Sequence, residues 1–395
     1  MPIIYAVIVL FIVYTALIFY YHISWNSIPL FVPDSSYPSI KISVIISARN
    51  EEENIAALLK ALTRQSYASD LTEIIVVDDH STDGTAEIVS QFPQVKLMQL
   101  TDEPGNSYKK KAIEKGIGAS TGDLIVTTDA DCIPLPRWLE ILAKFREKSK
   151  AVFIAAPVSF VPAKKSGLSS IIEAQEVELM EFGDESYNSI LYGLQELDFI
   201  VLQGITGASV YKNIHSMCNG ANLAYDKKVY YEVKGFEGID NIASGDDMLL
   251  MHKIWKKYPT AVRFLKSQDA IVFTQPMKTW KSFFNQRIRW ASKATYYKDW
   301  RIFCVLLLVY LFNLSFLVLF IAGFFNYGYW IWLAALWAAK TIIEIPFVHS
   351  VARFFGKQSL LYWFFFFQPL HILYTIISGL FGQFGKYEWK GRRVK

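Results

Sequence analysis

Residues 74–85 read IIVVDDHSTDGT, and this stretch decides the fold. Its run of β-branched residues predicts a buried strand, the polar residues after it predict a turn, and a helix is expected over 85–91. Comparable apolar strands and helical patterns alternate on both sides of this stretch, from residue 42 to residue 145. Such alternation is typical of βαβ units, so we predict an α/β domain with a mostly parallel sheet.

The predicted elements follow one another closely along the chain. Strands are expected over 42–47, 73–77, 95–100 and 124–128, and helices over 51–62, 85–91, 107–117 and 137–145. Ligands of open parallel sheets bind at the carboxyl ends of the strands. The residues that decide function should therefore stand directly after the strands.

Polar clusters follow three of the predicted strands, at residues 47–51, 78–85 and 128–131. Asp78 and Asp79 could instead cap the helix that comes after them. Three such clusters at one edge of one sheet favour a shared ligand site over separate helix caps.

Asp129 and Asp131 alternate at the end of the fourth strand, which directs both carboxylates to one side. Paired carboxylate oxygens suit Mg²⁺ or Mn²⁺ held together with a diphosphate, and the competing interpretation is a solvated turn. Lys109, Lys110 and Lys111 open the helix after the third strand. Cations at a helix N-terminus can bind phosphate, although such a run can also be a solvated face.

The composition separates this chain from ordinary soluble enzymes. Its 395 residues are 52% apolar and only 19% charged, with 40 basic and 36 acidic side chains. Soluble domains usually hold about 25% charged residues, so an ordinary cytosolic enzyme is not expected. The small net charge of +4 also argues against nucleic acid as a partner. The three cysteines lack the spacing of a disulfide framework or a zinc cluster.

Charge is missing from particular segments rather than from the whole chain. Residues 1–33 contain no Asp, Glu, Lys or Arg, which predicts a retained N-terminal membrane anchor. A signal peptide would need a basic start and a small-residue cleavage site instead. Two more spanning helices are expected over 302–324 and 328–350, and 359–385, which contains Pro369, is a candidate last segment.

Basic residues indicate the orientation in the membrane. Seven Lys and Arg lie between residues 278 and 301, whereas the turn at 325–328 has none. By the positive-inside rule the central domain should face the cytoplasm. The basic tail over 386–395 should also be cytoplasmic, which three full C-terminal spans would prevent. Either 359–385 enters the membrane and returns near Gln368 and Pro369, or one segment is not a full span.

The residues between the central domain and the second apolar segment form an amphipathic pattern. Over 275–294, aromatic side chains that include Trp280 and Phe283 recur at helical spacing, with cations that include Arg287 around them. This pattern is typical of a helix in the membrane interface, and the competing interpretation is a core-facing helix. The acidic stretch over 176–185 is expected to be a solvated helix face, and the alternative is that it lines an acceptor groove.

Six motifs, taken in their order and spacing, resemble family 2 glycosyltransferases with the GT-A fold. The motifs are residues 43–51, residues 76–85, Asp129-Ala130-Asp131, Cys218-Asn219-Gly220-Ala221-Asn222, Ser244-Gly245-Asp246-Asp247 and Gln286-Arg287-Ile288-Arg289-Trp290. The last of these, Q-x-x-R-W, is the most discriminating. The chain looks like the membrane-embedded branch that includes hyaluronan, cellulose and poly-N-acetylglucosamine synthases and ceramide glucosyltransferase.

This resemblance implies a domain organisation. An N-terminal transmembrane anchor, an α/β GT-A domain with a Rossmann-like and mostly parallel sheet, an interfacial helix with Q-x-x-R-W, a C-terminal transmembrane region of two to three helices and a basic tail are expected in turn. Their ranges are 1–33, 34–274, 275–300, 301–385 and 386–395.

The resemblance also implies a role for each matching residue. The residues expected to bind the donor nucleotide are Ala48, Glu51, Asp79, Lys110, Lys111, Asp129 and Asp131. The last two would also hold Mg²⁺ or Mn²⁺. The catalytic base aligns with Asp247, and Asp246 is the alternative. The residues expected to clamp the diphosphate and the acceptor are Asn219, Gly220, Asn222, Gln286, Arg289 and Trp290.

The expected activity is an inverting, metal-dependent transfer from a UDP-sugar to a lipid or a growing polysaccharide. A single base opposite the leaving group gives a direct displacement, so an α-linked donor would yield a β-glycosidic bond. The expected protein is integral to the cytoplasmic membrane, with its catalytic domain on the cytoplasmic side. The alternative is a non-catalytic nucleotide-sugar-binding subunit, a sensor or transporter component, which would not need an acidic pair together with Q-x-x-R-W.

Overall fold

The computed structural model describes residues 2–101, 107–161, 189–214, 218–240, 242, 245–293, 299–384, 387–389 and 392–394. Within these residues an α/β domain packs against a group of long apolar helices. The acidic stretch over 176–185 and Ser244 lie outside the described residues, so the prediction for that stretch stays a prediction.

The sheets are built from short, mostly buried strands. The strands are β1 (Ile42–Ala48), β2 (Thr72–Asp78), β3 (Val95–Gln99), β4 (Leu124–Asp129), β5 (Ile133–Pro134), β6 (Phe153–Ala155), β7 (Val158–Phe160), β8 (Leu223–Asp226), β9 (Val262–Phe264), β10 (Val272–Thr274), β11 (Tyr387–Trp389) and β12 (Arg392–Val394). The main sheet has the order β3-β2-β1-β4-β8-β6-β9, a smaller sheet the order β5-β10-β7, and β11 pairs with β12.

The first four strands of the main sheet are parallel to one another. β8 runs antiparallel between β4 and β6, and β9 is parallel to β6. The prediction of a mostly parallel sheet is therefore confirmed, and the four predicted strands agree with β1 to β4 to within one residue at every end.

The helices complete the α/β domain and form the group of long apolar helices. They are α1 (Pro2–Ser27), α2 (Ile55–Thr63), α3 (Thr85–Ser90), α4 (Tyr108–Ala119), α5 (Trp138–Ser149), α6 (Ser189–Tyr211), α7 (Lys227–Glu232), α8 (Met248–Lys257), α9 (Trp280–Ser292), α10 (Trp300–Gly323), α11 (Gly328–Phe354) and α12 (Leu361–Phe384). The predicted start of α2 at residue 51 is wrong. Asn50 has a φ of 50°, and the N–H of Asn54 donates to the Glu51 carbonyl at 2.9 Å, so a turn precedes the helix.

Strand β1 lies at the centre of the domain and is buried on both faces. Ile42, Val44, Ile45 and Ile46 are fully buried. Helix α4 approaches this strand closely because Gly116 has no side chain, and a Cβ there would lie 2.5 Å from Ile45. This close approach holds the N-terminal end of α4 over the strand ends, where the polar clusters lie.

Four helices are long and apolar enough to cross a membrane, by length and composition, among the described residues: α1, α10, α11 and a segment that includes α12. The predicted apolar segments are thus confirmed as helices. α12 runs without a break through Pro369. The return near Gln368 and Pro369 that the sequence left open is therefore wrong.

Helices α6 and α9 lie between the sheets and the long apolar helices. On one side, Gln203 of α6 accepts a hydrogen bond from the N–H of Val158 at 3.2 Å. On the other side, a Cβ at Gly204 would lie 2.4 Å from Val351 of α11. Arg287 of α9, which the sequence pattern counted among interfacial cations, is instead buried. It can be buried because Asp198 of α6 neutralises it at 2.7 Å.

Candidate active site

The ends of β1 and β2 form one side of the site. Asp79 is 1% exposed, and its backbone N–H donates to the Ala48 carbonyl at 2.8 Å. The Arg49 guanidinium donates to the backbone carbonyl of Asp79 at 2.8 Å. Glu51 is buried as well, and the side-chain amide of Asn54 donates to its Oε2 at 2.9 Å. The fold thus brings the three predicted nucleotide-side residues to one edge of the sheet.

Asp129 and Asp131 stand at the end of β4, in the middle of the same edge. One ligand atom from each, together with the Cys132 thiol, lies within 4.8 Å of the others. Burial, together with the two carboxylates, raises the pKa of Cys132 well above its usual value. Mg²⁺ and Mn²⁺ prefer oxygen ligands over a thiol. The carboxylates of Asp129 and Asp131 therefore fit such an ion, held jointly with a diphosphate.

Lys109 bridges two of the acidic groups. Its Nζ lies 2.7 Å from Asp129 Oδ1 and 3.2 Å from Asp246 Oδ2. Burial alone would lower the pKa of Lys109, but the two carboxylates hold it well above its usual value. A permanent cation therefore stands between the end of β4 and the acidic pair before α8.

Asp246 and Asp247 stand directly before α8, and they face different surroundings. Burial would raise the pKa of Asp246, but Lys109 and Lys293 hold it below its usual value. Asp247 caps α8, because its Oδ1 accepts the N–H of Met248 at 2.7 Å. Its Oδ2 accepts the N–H of Gly220 at 3.2 Å. These backbone donors fix the orientation of the Asp247 carboxylate.

The two lysines singled out by the sequence are placed differently from Lys109. Nζ of Lys110 donates to the backbone carbonyls of Ile239 and Ile242, at 2.7 and 2.5 Å. Burial lowers the pKa of Lys110 to about 8. Lys111 is half-buried. Lys110 therefore holds the segment before the acidic pair, and Lys109 is the lysine that contacts the carboxylates.

The segment from Asn219 to Asn222 contributes through its backbone and its small size. A Cβ at Gly220 would lie 3.5 Å from both Asp247 Cβ and Lys109 Nζ, so this glycine stands between the acidic pair and the cation. Asn222 is fully buried, and its amide donates to two backbone carbonyls at 2.8 Å each. Its hydrogen bonds place Asn222 in the core beneath the site rather than on its surface.

The Q-x-x-R-W motif lies on α9. Gln286 accepts a hydrogen bond from Arg287 at 2.9 Å. Trp290 packs against the guanidinium of Arg287, whose Cζ is 4.3 Å from its ring centre. Arg289 is half-buried, and within the described part of the chain its guanidinium has no ion pair or hydrogen bond. Lys293, just after α9, lies 3.8 Å from Asp247.

A cavity of about 790 Å³ borders Asp247. Its walls come from α1, α6, α9, α10, α11 and α12, and they are mainly apolar. Asn219, Asp247 and Lys293 belong to this wall, and so do Tyr14 and Glu344 in the middle of their apolar helices. The cavity therefore extends from Asp247 into the space between the long apolar helices.

Two features of the site were not found from the sequence. The first is Lys109, because a run of three lysines does not show which one faces the strand ends. The second is the buried pair of Asp198 and Arg287, to which Tyr374 of α12 adds a hydrogen bond to Asp198. The presence of Asp198 within a largely apolar helix was the available signal, since buried charges are usually paired.

Comparisons with known proteins agree with this arrangement. The family described as "Glycosyl transferase family 2" matches residues 43–195, and "Glycosyl transferase family group 2" matches residues 124–377. A solved structure, the mannosyltransferase PcManGT from Pyrobaculum calidifontis in complex with GDP-Man and Mn²⁺, superposes with a TM-score of 0.58. It is 19% identical, and the match covers 96% of each chain. This likeness shows a common GT-A fold.

Curated relatives match parts of the chain. The probable glycosyltransferase YdaM of Bacillus subtilis (strain 168) is 27% identical over 263 residues, which are 65% of this chain and 56% of YdaM. The beta-monoglucosyldiacylglycerol synthase of Synechocystis sp. (strain ATCC 27184 / PCC 6803 / Kazusa) is 31% identical over 108 residues. That match covers 26% of this chain and 22% of the synthase. The chain thus spans about half the length of YdaM and less of the synthase.

Proposed function

The chain belongs to glycosyl transferase family 2, and from this premise we propose that it transfers a sugar from a nucleoside-diphosphate sugar to a hydroxyl of a membrane lipid. The observation that carries this proposal is the position of Asp247. This residue directly follows Asp246, which Lys109 joins to Asp129, and it also belongs to the wall of the apolar cavity. A sugar donor and a lipid acceptor could therefore meet at one carboxylate.

The donor would bind along the edge formed by β1, β2 and β4. Ala48, Glu51 and Asp79 would contact the nucleoside, and a UDP-sugar is the donor that we propose. The diphosphate would lie beside Asp129 and Asp131, which would hold Mg²⁺ or Mn²⁺. When bound, such an ion neutralises negative charge on the diphosphate.

Asp247 is the base in this proposal. As the acceptor oxygen bonds to the anomeric carbon, its proton passes to the Asp247 carboxylate. The bond from the anomeric carbon to the diphosphate oxygen breaks, and the electron pair leaves with the nucleoside diphosphate. The backbone N–H groups of Gly220 and Met248 hold Asp247 in place for this step. A single base opposite the leaving group inverts the anomeric centre, so an α-linked donor gives a β-linked product.

Cations near the acidic pair would stabilise the leaving group. Lys109 stands between Asp129 and Asp246, and Arg289 offers a guanidinium that the described residues leave without an ion pair. Negative charge develops on the diphosphate as the bond breaks, and fixed cations lower the free energy of that state. Arg289 and Trp290 would thus act on the diphosphate and on the acceptor headgroup.

The cavity favours a lipid over a polysaccharide acceptor. Its mainly apolar wall would leave the hydroxyls of a polymer without hydrogen-bond partners, and burying such groups unpaired is costly. A hydrocarbon chain would fill the same space while gaining the free energy of apolar burial. We place the reaction at the cytoplasmic face of the membrane, because basic residues precede α10 and are missing from the turn before α11.

The first test is transfer by the full chain in lipid nanodiscs. UDP-glucose, UDP-galactose, UDP-N-acetylglucosamine and UDP-glucuronate would each be offered with diacylglycerol, ceramide, polyprenyl phosphate and soluble glucan oligosaccharides. We expect transfer to a lipid, and a loss of at least about 100-fold in Asp247→Asn. The matched control is Asp240→Asn, an exposed carboxylate nearby. Transfer to oligosaccharides alone, or full activity of Asp247→Asn, would overturn the proposal.

The second test fills the cavity without touching the acidic residues. Val305 of α10 belongs to the cavity wall, whereas Val318 of the same helix is 40% exposed on the outer surface. Val305→Trp should lower transfer to a long-chain lipid and leave transfer to a short-chain, soluble analogue of the same lipid unchanged. Val318→Trp should change neither rate. Equal loss with both acceptors would show that the cavity does not hold the lipid chain.

A further inference from the structure

Helix α12 is long and apolar enough to span a bilayer, and it contacts the spanning helices α10 and α11. Near both of its ends, however, it also contacts elements that lie against the α/β domain. Spanning requires the two ends of a helix to lie on opposite faces of a hydrocarbon layer about 30 Å thick. The contacts of α12 can be followed along its length through α9 and α6, which both lie against the α/β domain.

Helix α9 is attached to the α/β domain at both of its ends. Before its first turn, the side-chain amide of Gln275 donates to Asn54 Oδ1 of the α/β domain at 2.8 Å. Met277 also exchanges two hydrogen bonds of 3.0 Å with the side chain of Gln195 on α6. After its last turn, Lys293 lies 3.8 Å from Asp247. α9 therefore runs along the base of the α/β domain and does not descend into the bilayer.

The C-terminal half of α12 runs beside α9 in the same direction. The rings of Tyr374 and Phe283 are 5.3 Å apart. Eight residues further along both helices, Gly382 packs against Ala291 so closely that a Cβ would lie 2.7 Å from it. The two helices thus stay in contact over about 12 Å, at 1.5 Å per residue.

The N-terminal half of α12 also stays against elements at the base of the domain. A Cβ at Gly193 of α6 would lie 3.0 Å from Phe367. Just before α12, Nζ of Lys357 donates to the backbone carbonyl of Phe160 at 3.2 Å and pairs with Glu196. From residue 357 to residue 382, the chain therefore returns repeatedly to the underside of the α/β domain.

We propose that α12 lies in the plane of the membrane, within the leaflet next to the α/β domain, and forms the floor of the cavity. One face of the helix, from Phe364 to Gln383, contributes to the cavity wall along nearly its whole length. The opposite face is apolar and exposed, with Tyr362, Phe366 and Leu373 exposed by 84%, 64% and 51%. The partner of this exposed face is the hydrocarbon of that leaflet.

This arrangement settles the conflict between the apolar segments and the basic tail. With α12 in the plane, α1, α10 and α11 are the spanning helices among the described residues, and the basic tail over 386–395 emerges on the side of the α/β domain. The positive-inside rule requires the same side. The cavity then lies within one leaflet, so a lipid can enter it sideways from that leaflet.

The first test measures the depth of the two ends of α12. Nitroxide labels would be attached to Tyr362→Cys and Phe381→Cys, separately, in nanodiscs and in a Cys304→Ser background. An in-plane helix predicts similar depths in one leaflet, whereas a spanning helix predicts depths about 28 Å apart. The matched control pair is Phe303→Cys and Phe324→Cys, at opposite ends of α10, with an expected difference of about 31 Å. A depth difference in α12 that matches the α10 pair would overturn the proposal.

The second test asks on which side the tail emerges. A membrane-impermeant maleimide would be applied to sealed vesicles of known orientation that carry Lys395→Cys, Glu237→Cys or Asn326→Cys. Glu237 is exposed on the α/β domain, and Asn326 lies between α10 and α11. We expect Lys395→Cys to react from the same side as Glu237→Cys. Reaction from the side of Asn326→Cys would refute an in-plane α12, whatever the outcome of the transfer assays.

Discussion

Removing either side chain of the buried pair formed by Asp198 and Arg287 should strongly destabilise the protein. The Arg287 side chain is 4% exposed and the Asp198 side chain 6%, and Nη2 lies 2.7 Å from Oδ2. The pair joins α6 to α9, and the same guanidinium packs under Trp290 of the Q-x-x-R-W motif. The variants are Asp198→Asn and Arg287→Met.

The size of the effect follows from the distance and the burial. At 2.7 Å and an effective dielectric constant of about 20, the attraction between the charges is about 6 kcal/mol. Desolvation of the two ions offsets part of this attraction. Removal of one partner leaves the other group buried without it, and such changes cost about 3–5 kcal/mol. Each single variant should lose free energy of unfolding in this range.

The double variant Asp198→Asn/Arg287→Met should lose much less than the sum of the single variants, because no buried charge is left unpaired. Chemical unfolding in detergent micelles, followed by tryptophan fluorescence, would give the four free energies of a double-mutant cycle. The half-exposed pair of Arg146 and Asp226, at 2.9 Å, is the control. Its variants should change the free energy of unfolding by about 1 kcal/mol or less.

Two results would refute this reasoning. One is a loss below about 1 kcal/mol in both single variants, which would equate the buried pair with an exposed one. The other is additivity in the cycle, which would show that the two charges do not depend on each other. The rate of sugar transfer is a further measurement on the same variants. Arg287→Met should lower this rate, because Trp290 loses the guanidinium against which it packs.

Three further predictions concern the lysines and the acidic residues. Lys109→Met should lower kcat/KM for the donor by about 10-fold or more, because a charge-assisted contact is worth about 1.5–3 kcal/mol. Lys111→Met is the control, and an equal effect of both changes would contradict the assignment. Treatment with a chelator should abolish transfer, and Mn²⁺ or Mg²⁺ should restore it in the wild type but not in Asp131→Ala, as a metal titration would show. Burial lowers the pKa of Lys110 to about 8, against about 10.4 in an unfolded chain. The unfolded state therefore binds more protons between these values, and stability relative to Lys110→Met should rise from pH 8 to pH 10 in unfolding experiments, with no such rise below pH 8.

Local patterns were enough for the first four strands, for the helices that alternate with them, and for the apolar helices. The strands β1, β2 and β4 are runs of β-branched and other apolar residues, buried on both faces, and such runs predict strands without knowledge of their neighbours. The apolar helices were equally clear, because a bilayer demands about 20 apolar residues in succession. The start of α2 was placed too early, because the turn after Asn50 depends on contacts with the next strand end.

Some residues of the candidate site could likewise be predicted from local patterns, whereas others could not. Polar residues directly after parallel strands meet at one edge for topological reasons, so Asp79, Asp129 and Asp131 could be grouped from their positions alone. The choice among Lys109, Lys110 and Lys111 could not be made in this way. Successive residues of a helix point about 100° apart, and which one faces the strand ends depends on how α4 is rotated against the sheet.

The amino-acid sequence alone thus determined the first four strands, the apolar helices, and the edge of the sheet that carries the polar residues, because these properties depend on neighbouring residues. The tertiary structure alone decided that Arg287 pairs with Asp198, that Asp247 borders an apolar cavity, and that α12 runs beside α9. Hydropathy measures how apolar the side chains of a segment are. It does not report the direction in which the segment runs, since a helix against the base of a domain and a helix across a bilayer bury the same apolar surface.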